Sequence, residues 1–169
     1  VAVHQDENNI YVLTNAHVIE NYTNVNVEFY KYGVKSLPIA GQTAGKVLTQ
    51  DKDFAIISVN KSYFGNMLPE IIPLVPPDYI PQPNSYFATA GNPFSRDMTA
   101  REGTIIKGDN VRIYFTPPPD NGQSGSGLFV NINGKVYVAG IITFKTGEYI
   151  MDSRGFPVNQ GVAFNINQL

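Results

Sequence analysis

Cysteine is absent from this 169-residue chain, and histidine occurs only twice. Without thiols no disulfide framework can form, and two imidazoles alone leave no plausible zinc cluster. The chain also lacks runs of Lys or Arg and has no apolar stretch long enough to span a bilayer. With a net charge of −2, we therefore expect neither nucleic acid nor an anionic membrane as a partner.

The composition is that of a folded protein. Hydrophobic residues make up 43% of the chain and charged residues 15%, which is typical of a globular domain rather than a disordered segment. The length allows one domain or two small lobes. The chain starts at Val1 without an initiator methionine or a signal-peptide pattern, which indicates a processed form or an excised domain.

Short strand signals recur along the chain with Gly, Pro and Asn between them, and helix signals are poor. This pattern predicts an all-β protein built from barrels or sandwiches. A first set of strands is predicted near residues 2–3, 11–14, 25–30, 37–40, 46–49 and 55–59, and a second near residues 86–90, 103–107, 111–115, 128–132, 136–144 and 162–165. Residues 16–20 form at most one helical turn.

A proline-rich stretch, residues 73–83, separates the two sets. Such proline density resists both helix and central strand, so we interpret it as a crossing between two lobes. The predicted division is an N-terminal lobe of residues 1–72, the crossing, and a C-terminal lobe of residues 84–169.

Chemistry is suggested first by the run Gly-Gln-Ser-Gly-Ser-Gly-Leu at residues 122–128. Glycines let a loop present consecutive N–H groups to one point beside a serine hydroxyl, which is what stabilising an oxyanion next to a nucleophile requires. Ser124 is the candidate nucleophile, and Ser126 is the alternative. A flexible turn without function is the other interpretation of such a cluster.

A base and an acid precede this loop. His17 directly follows an apolar strand and a short Thr-Asn turn, whereas His4 stands before a polar turn and is interpreted as a solvated loop residue. Asp53 directly precedes an apolar strand, and Asp51 is its competitor. The order His, Asp, Ser is that of the chymotrypsin-like double β-barrel.

The ordered motifs resemble trypsin-like serine proteases, most closely the HtrA/Deg branch. Five segments carry the resemblance: Thr-Asn-Ala-His-Val at 14–18, Asp-Phe-Ala-Ile-Ile at 53–57, the loop at 122–128, Asn-Ile-Asn-Gly-Lys at 131–135 followed by Gly-Ile at 140–141, and Gly-Val-Ala-Phe at 161–164. Gln123 and Ser126 depart from the usual residues of that branch. The glutamyl-endopeptidase branch, similar to V8 protease, also carries serine at the position of Ser126.

The resemblance implies roles for particular residues. His17, Asp53 and Ser124 are the expected catalytic triad, with the N–H groups of Gly122 and Ser124 as the oxyanion hole. Residues 143–145, which are Thr143, Phe144 and Lys145, are expected to pair with the substrate backbone and to form one wall of the primary pocket, with residues 117–121 as the other wall.

A pocket with this lining favours an apolar P1 residue, while Lys145 leaves a case for an acidic one. The expected partners are protein or peptide substrates, no cofactor or metal is expected, and the family resemblance favours a periplasmic, extracellular or organellar location.

Two alternatives of function remain open: a catalytically silent peptide-binding module on the same barrel, and a viral polyprotein-processing serine protease. In the resembled family two strands precede the one that leads into the catalytic histidine, and here residues 1–4 supply only one. We therefore expect an N-terminal barrel that lacks its first strand. Its edge is expected either to stay open or to be completed by an upstream segment or a neighbouring chain.

Overall fold

Strands make up most of the regular structure in the computed structural model, which describes residues 1–152 and 154–169, with the side chains of all of these except Ser95 and Gln168. The first seven strands are β1 Ala2–Gln5, β2 Asn9–Thr14, β3 Asn24–Val27, β4 Tyr30–Lys31, β5 Val34–Lys35, β6 Ile39–Leu48 and β7 Asp53–Asn60. The remaining six are β8 Tyr86–Gly91, β9 Thr99–Gly108, β10 Arg112–Thr116, β11 Gly127–Ile132, β12 Lys135–Met151 and β13 Pro157–Asn165.

Helical structure is short. One four-residue helix, α1 Ala16–Ile19, follows β2, and 3₁₀ turns lie at Lys61–Tyr63, Pro93–Ser95 and Ile166–Gln168. The single turn predicted near residues 16–20 is thus present. No helix in the described part of the chain is long and apolar enough to cross a membrane.

The N-terminal sheet is open. It has five strands in the order β1-β2-β7-β6-β3, so β1 and β3 are its edges, and β4 and β5 form a separate hairpin. Apolar side chains that alternate along the strands fill one core, with Ile10, Ile57 and Val59 among its buried members. The all-β class and the incomplete N-terminal barrel are confirmed.

The C-terminal sheet closes into a barrel with the strand order β10-β13-β12-β11-β8-β9. Its interior is filled by fully buried aliphatic and aromatic side chains, including Ile105, Ile113, Phe115 and Ile141. In a closed sheet every strand has two neighbours, so no ladder edge is left within the ring.

Three strand predictions need correction. The strand predicted near residues 25–30 ends at Val27 as β3, and Tyr30 belongs to the separate β4–β5 hairpin. The stretches near residues 37–40 and 46–49 belong to one strand, β6, because a bulge between Thr43 and Gly45 carries the pairing with β7 through the glycine-containing middle. The strand predicted to end near residue 144 continues to Met151, because β13 also starts earlier and pairs with it as far as Met151↔Pro157.

The stretch between the two sheets is docked on the barrel. Leu74 forms a parallel bridge with Val138 of β12, the Val138 N–H donates to the Pro73 carbonyl at 2.8 Å, and the Val75 N–H donates to the Val138 carbonyl at 3.0 Å. Proline supplies no N–H, so a single bridge is as much pairing as such a stretch readily sustains. The lobe boundaries at residues 72 and 84 remain a prediction.

Candidate active site

His17 and Asp53 meet in the N-terminal sheet. The helix α1 starts one residue before His17, and Asp53 opens the neighbouring strand β7. His17 Nδ1 lies 2.6 Å from Asp53 Oδ2, and the His17 backbone N–H donates to Oδ1 of the same carboxylate at 3.0 Å. Asp53 is buried while the imidazole is 41% exposed, so the pair holds the ring in one orientation with its other nitrogen free to face a reactant.

The competing residues lie elsewhere. Asp51 pairs with Arg112 of β10 at 3.0 Å on the surface rather than with His17. His4 lies in strand β1, not in a loop as expected from the sequence, because β1 pairs with β2 through His4↔Tyr11. Its ring stacks on Tyr11. Neither residue contributes to the site.

The loop before β11 places Ser124 between two glycines with left-handed backbone. Gly122 has φ +89° and Gly125 has φ +87°, conformations that other L-residues adopt only under strain. A Cβ at Gly125 would also collide with the hydroxyl of Thr14. Gly125 therefore lets the serine loop pack directly on the segment that leads into His17.

Ser124 faces the strand that was expected to bind substrate. Its hydroxyl donates to the Thr143 carbonyl at 2.8 Å, whereas no hydrogen bond to His17 is found among the described residues. The loop is tied to β12 by two further bonds, from the Gly125 N–H to the Ile142 carbonyl and from the Ile142 N–H to the Ser126 carbonyl, both 2.9 Å. The structure thus brings Ser124 together with the first residue of the expected 143–145 segment, and Phe144 and Lys145 lie exposed just beyond it.

The two expected oxyanion donors, the N–H groups of Gly122 and Ser124, make no hydrogen bond to other described residues. Within residues 1–152 and 154–169, neither the Gly122 nor the Ser124 N–H has a backbone or side-chain acceptor. The turn between them is closed instead by the Gln123 N–H, which donates to the Asp120 carbonyl at 3.2 Å. Such unengaged N–H groups beside a hydroxyl can stabilise charge on a bound oxygen.

Asn15 is a site residue that the sequence analysis did not single out. Its side chain is fully buried, and its amide donates to the Asp53 carbonyl at 2.8 Å and to the Thr143 hydroxyl at 3.1 Å. It therefore links Asp53 of the N-terminal sheet to Thr143 in strand β12 of the C-terminal sheet. One signal in the sequence could have indicated it. Asn15 stands two residues before His17 at the end of an apolar strand, where a buried polar side chain must find hydrogen-bond partners.

Gln123, which the sequence analysis noted only as a departure from the family pattern, has a structural role in the loop. It is fully buried, and its side-chain oxygen accepts the Asp120 N–H at 2.7 Å, so it orders the loop from inside without a charge. Asp120 itself pairs with Arg101 at 2.8 Å. Ser126 does not contact the acid–base pair, and its hydroxyl lies against Gly91 of β8, where any side chain would clash with it.

Of the two expected pocket walls, residues 117–121 contribute to a cavity beside the serine loop and residues 143–145 do not. This small cavity, of about 10 Å³, is lined by Pro117, Pro118 and Pro119, while β12 contributes Ile142 in place of the expected residues. Gly161 of β13 allows Phe115 and Pro119 to pack closely here, since a Cβ at this position would meet both at 2.5 Å. The lining is mostly apolar but includes the charged residues Arg101 and Glu102. Asp120, next to the proline wall in the chain, pairs with Arg101.

Comparison with known proteins agrees with this architecture. The model of the Trypsin-like peptidase domain family matches residues 1–141. Similar solved structures include the serine endoprotease from Yersinia pestis (TM-score 0.67, 22% identity, 96% of this chain and 51% of that chain) and the HtrA-type protease AlgW with decapeptide (0.65, 21%, 98% and 47%). A third is the Rv3671c protease in an inactive form (0.63, 20%, 98% and 76%).

This chain spans about half the length of the first two of these proteins. No curated protein matches it. Because the sequence identities are low, the structural matches show the fold alone. The family model, by contrast, covers most of the sequence. The chain belongs to the family of trypsin-like peptidase domains.

Proposed function

We propose that this chain is a serine endopeptidase that hydrolyses peptide bonds through an acyl-enzyme on Ser124. The observation that carries the proposal is the double engagement of His17 by Asp53, at 2.6 Å to the ring and 3.0 Å to the backbone N–H. A carboxylate that holds both the ring and its backbone presents the imidazole as an oriented base. The Ser124 loop packs against the same segment through Gly125.

These positions support the following proposed reaction. The Ser124 oxygen attacks the substrate carbonyl while its proton passes to the free ring nitrogen of His17, and Asp53 stabilises the imidazolium that forms. The oxyanion is bound by the Gly122 and Ser124 N–H groups. The C–N bond then breaks, His17 returns the proton to the departing amine, and a water activated by His17 hydrolyses the ester.

One rearrangement precedes attack. The Ser124 hydroxyl donates to the Thr143 carbonyl, so it must turn towards His17 when substrate arrives. A substrate N–H that donates to the Thr143 carbonyl would displace the serine hydroxyl from this acceptor. Binding would thereby release the nucleophile, in keeping with catalytic hydrogen bonds that tighten only in the substrate complex.

The pocket supports an apolar P1 residue. Three prolines and Ile142 in the lining favour an apolar side chain at P1, whereas Glu102, which also lines the cavity, is the carboxylate that a Lys or Arg side chain at P1 would need as a partner. Lys145 is exposed at the rim and supports the lesser proposal, an acidic P1 residue.

A second candidate function is a silent peptide-binding module. The bond from Ser124 to Thr143, with no bond to His17 among the described residues, favours it. In such a module the barrel would hold extended peptides without turnover. The two functions differ in whether Ser124 becomes covalently modified.

The deciding experiment is labelling with a fluorophosphonate serine probe, followed by mass spectrometry of the modified peptide. We expect modification of Ser124, its loss in Ser124→Ala, and its retention in Ser126→Ala, which is the matched control from the same loop. Cleavage-site profiling on a peptide library then reports P1. Peptide binding without labelling or cleavage would establish the module and overturn the endopeptidase.

A further inference from the structure

Two buried polar side chains beside the serine loop have no hydrogen-bond partner among the residues that the structure describes. They are Thr89 of β8, which is 4% exposed, and Gln123, which is fully buried. The unpaired atoms are the hydroxyl oxygen of Thr89 and the side-chain nitrogen of Gln123. Because an unpaired polar group in the interior is destabilising, two of them at one place point to a ligand that both contact.

Both side chains line the same cavity. It is the cavity of about 10 Å³ bounded by Pro117, Pro118 and Pro119, and its volume is about the smallest that accommodates one water. Neither Ser124 nor residues 143–145 line it as it stands. A P1 side chain that uses the proline wall would therefore have to widen the cavity first, so its occupant in the free protein is a smaller molecule.

The orientation of the Gln123 amide follows from the contact of its oxygen. This oxygen accepts the Asp120 N–H at 2.7 Å, and a rotated amide would set two hydrogen-bond donors against each other at that point. The nitrogen, with its two N–H groups, is therefore the end of the amide that is left for the cavity. The ligand in the cavity must offer a hydrogen-bond acceptor to it.

The other polar groups of the lining favour a neutral ligand. An anion would meet the Glu102 carboxylate, and a cation would meet the Gln123 donors and the Arg101 guanidinium. A water accepts from Gln123 and has two hydrogens to donate, for which the Thr89 hydroxyl and the Glu102 carboxylate can serve as acceptors. Buried waters typically make about three hydrogen bonds, and these side chains can supply them.

Thr89 lies on a fixed part of the barrel wall, whereas Gln123 lies in a loop. At Thr89 the strand β8 pairs with β11 on one side and with β9 on the other, so its backbone is held at both edges. Gln123 stands between Gly122 and Ser124, whose N–H groups are the expected oxyanion donors. A water shared by Thr89 and Gln123 would therefore tie the serine loop to the wall of the barrel.

We propose that one water is bound in this cavity between Gln123 and Thr89, and that Thr89 acts through it as a positioning residue for the serine loop. The water holds the Gln123 side chain from the barrel side, while the Asp120 N–H holds it from the turn. The loop is thereby kept in the arrangement that leaves the Gly122 and Ser124 N–H groups without an acceptor among the described residues. The positioning role rests on the proposed endopeptidase function, whereas the water site does not.

The water is tested first, by NMR and without reference to activity. We expect the Gln123 side-chain N–H protons to show NOE and ROE cross-peaks to water of opposite sign, which marks a water that stays much longer than those on the surface. In Thr89→Val, which keeps the shape of the side chain and removes its hydroxyl, these cross-peaks should disappear. The Asn15 amide is the control that should show none, because it donates directly to the Asp53 carbonyl and the Thr143 hydroxyl.

Three variants of Thr89 separate positioning from packing. Thr89→Val should lower kcat and the rate of fluorophosphonate labelling about fivefold to tenfold with little change in KM, because the loop loses one hydrogen-bonded anchor. Thr89→Ser should retain the wild-type kcat. Thr89→Ala leaves room for a second water in place of the hydroxyl and should lose less activity than Thr89→Val, whereas a packing role predicts the reverse order. Thr104→Val on strand β9 is the matched control, since Thr104 does not line this cavity.

The outcomes separate the two proposals. If the wild-type protein neither cuts peptides nor reacts with the probe, the endopeptidase proposal fails and the positioning role with it, while the cross-peaks still decide the water site. Missing cross-peaks at Gln123 in the wild type, or their persistence in Thr89→Val, would overturn a water held by Thr89. A lower Tm in Thr89→Val with unchanged kcat and labelling rate, or a larger loss of activity in Thr89→Ala than in Thr89→Val, would overturn the positioning role.

Discussion

The two sheets of this molecule differ in whether their edge strands are left unpaired. The C-terminal sheet closes on itself, whereas the N-terminal sheet ends at β1 and β3. The loop that carries the proposed nucleophile, Ser124, leads into the closed sheet, and the proposed base and acid, His17 and Asp53, lie on the open one. Because an open sheet has fewer partners to restrain it, we infer that the orientation of His17 depends on contacts with the barrel as well as on its own lobe.

Several contacts tie the open sheet to the barrel. Leu13 and Phe54 of the N-terminal strands pack within the large core cluster that fills the barrel. Arg112 of β10 donates to the Gln50 carbonyl and to Asp51 in the loop before Asp53. These contacts lie close in sequence to Asp53 and to the strand that leads into His17, so the segments that carry the proposed base and acid are supported by the barrel.

The largest expected effect comes from removing the proposed base or the proposed nucleophile, which lie on different sheets. His17→Ala on the open sheet and Ser124→Ala on the closed one should each lower kcat/KM by about 10⁴-fold or more, because neither group acts without the other. The double variant should be little worse than either single one. Steady-state hydrolysis of a library-selected peptide measures this, and losses that multiply in the double variant would show that the two residues act independently.

Core truncation probes the sheets separately. Ile10 of β2 and Ile105 of β9 are both fully buried. Either Ile→Ala change should cost about 2–5 kcal/mol of unfolding free energy locally. We expect Ile10→Ala to accelerate hydrogen exchange in β1, β2 and β7 while the barrel amides stay protected, and Ile105→Ala to reduce protection in both sheets.

Native-state hydrogen exchange with mass spectrometry gives both patterns in one measurement. If Ile10→Ala lowered protection equally in the barrel, the sheets would form a single cooperative unit. The difference between the open sheet and the closed barrel would then not affect their relative stability.

The triad candidates could be predicted from the sequence because each sits in a short contiguous motif. His17 follows a strand-turn signal, Asp53 opens an apolar strand, and Ser124 lies in a glycine-rich loop, and the structure joins His17 to Asp53 at 2.6 Å. The roles of Asn15 and Gln123 could not be predicted in this way. Both depend on partners distant in the chain or on burial, and no local pattern encodes these.

The full length of β12 could not be predicted from the sequence either. Residues 145–151 begin with Lys-Thr-Gly-Glu before Tyr149, Ile150 and Met151, so they lack the sustained apolar alternation that marks a half-buried strand. They are extended because β13 pairs with them, not because a core selects them. Similarly, Gly41 and Gly45 suggested a break in β6, which the bulge instead accommodates.

An intermediate effect is expected at the bridge between the sheets. Asn15→Ala removes the donor shared by the Asp53 carbonyl and the Thr143 hydroxyl, so two acceptors lose a partner. A buried hydrogen bond of this kind is worth about 1–3 kcal/mol, so kcat should fall about tenfold to a hundredfold. The rate of fluorophosphonate labelling, measured well below the Tm, should fall in parallel.

Thr143→Ala completes a double-mutant cycle for this positioning role. The effects of Asn15→Ala and Thr143→Ala on kcat should be less than additive, because both remove the same bond between sheets. A Tm decrease in Asn15→Ala with unchanged kcat and labelling rate would reduce Asn15 to a purely structural residue.

The smallest expected effect concerns the outermost hairpin of the open sheet. The Asp6 carboxylate accepts the N–H groups of Asn8 and Asn9 at 2.8 and 2.7 Å and the Tyr11 hydroxyl at 2.6 Å, which closes the β1–β2 turn. The hydrogen bond from Tyr11 is the main cause that lowers the pKa of Asp6 from 3.8 to about 2. Since the folded pKa is the lower one, the stabilisation is present above pH 4 and is lost as the pH falls towards 2.

Asp6→Asn should therefore flatten the pH dependence of this turn and leave the barrel unaffected. In NMR titrations, the amide shifts of Asn8 and Asn9 should report a midpoint near pH 2 that disappears in the variant. Asp152 is the matched control from the other lobe, because hydrogen bonds from Phe156 and Arg154 also lower its pKa. Asp152→Asn should leave the midpoint of the β1–β2 turn in place. A midpoint near pH 4 at Asn8 would mean that the hairpin at the sheet edge is already frayed in solution, and that the open lobe is less ordered at β1 than the hydrogen bonds of Asp6 imply.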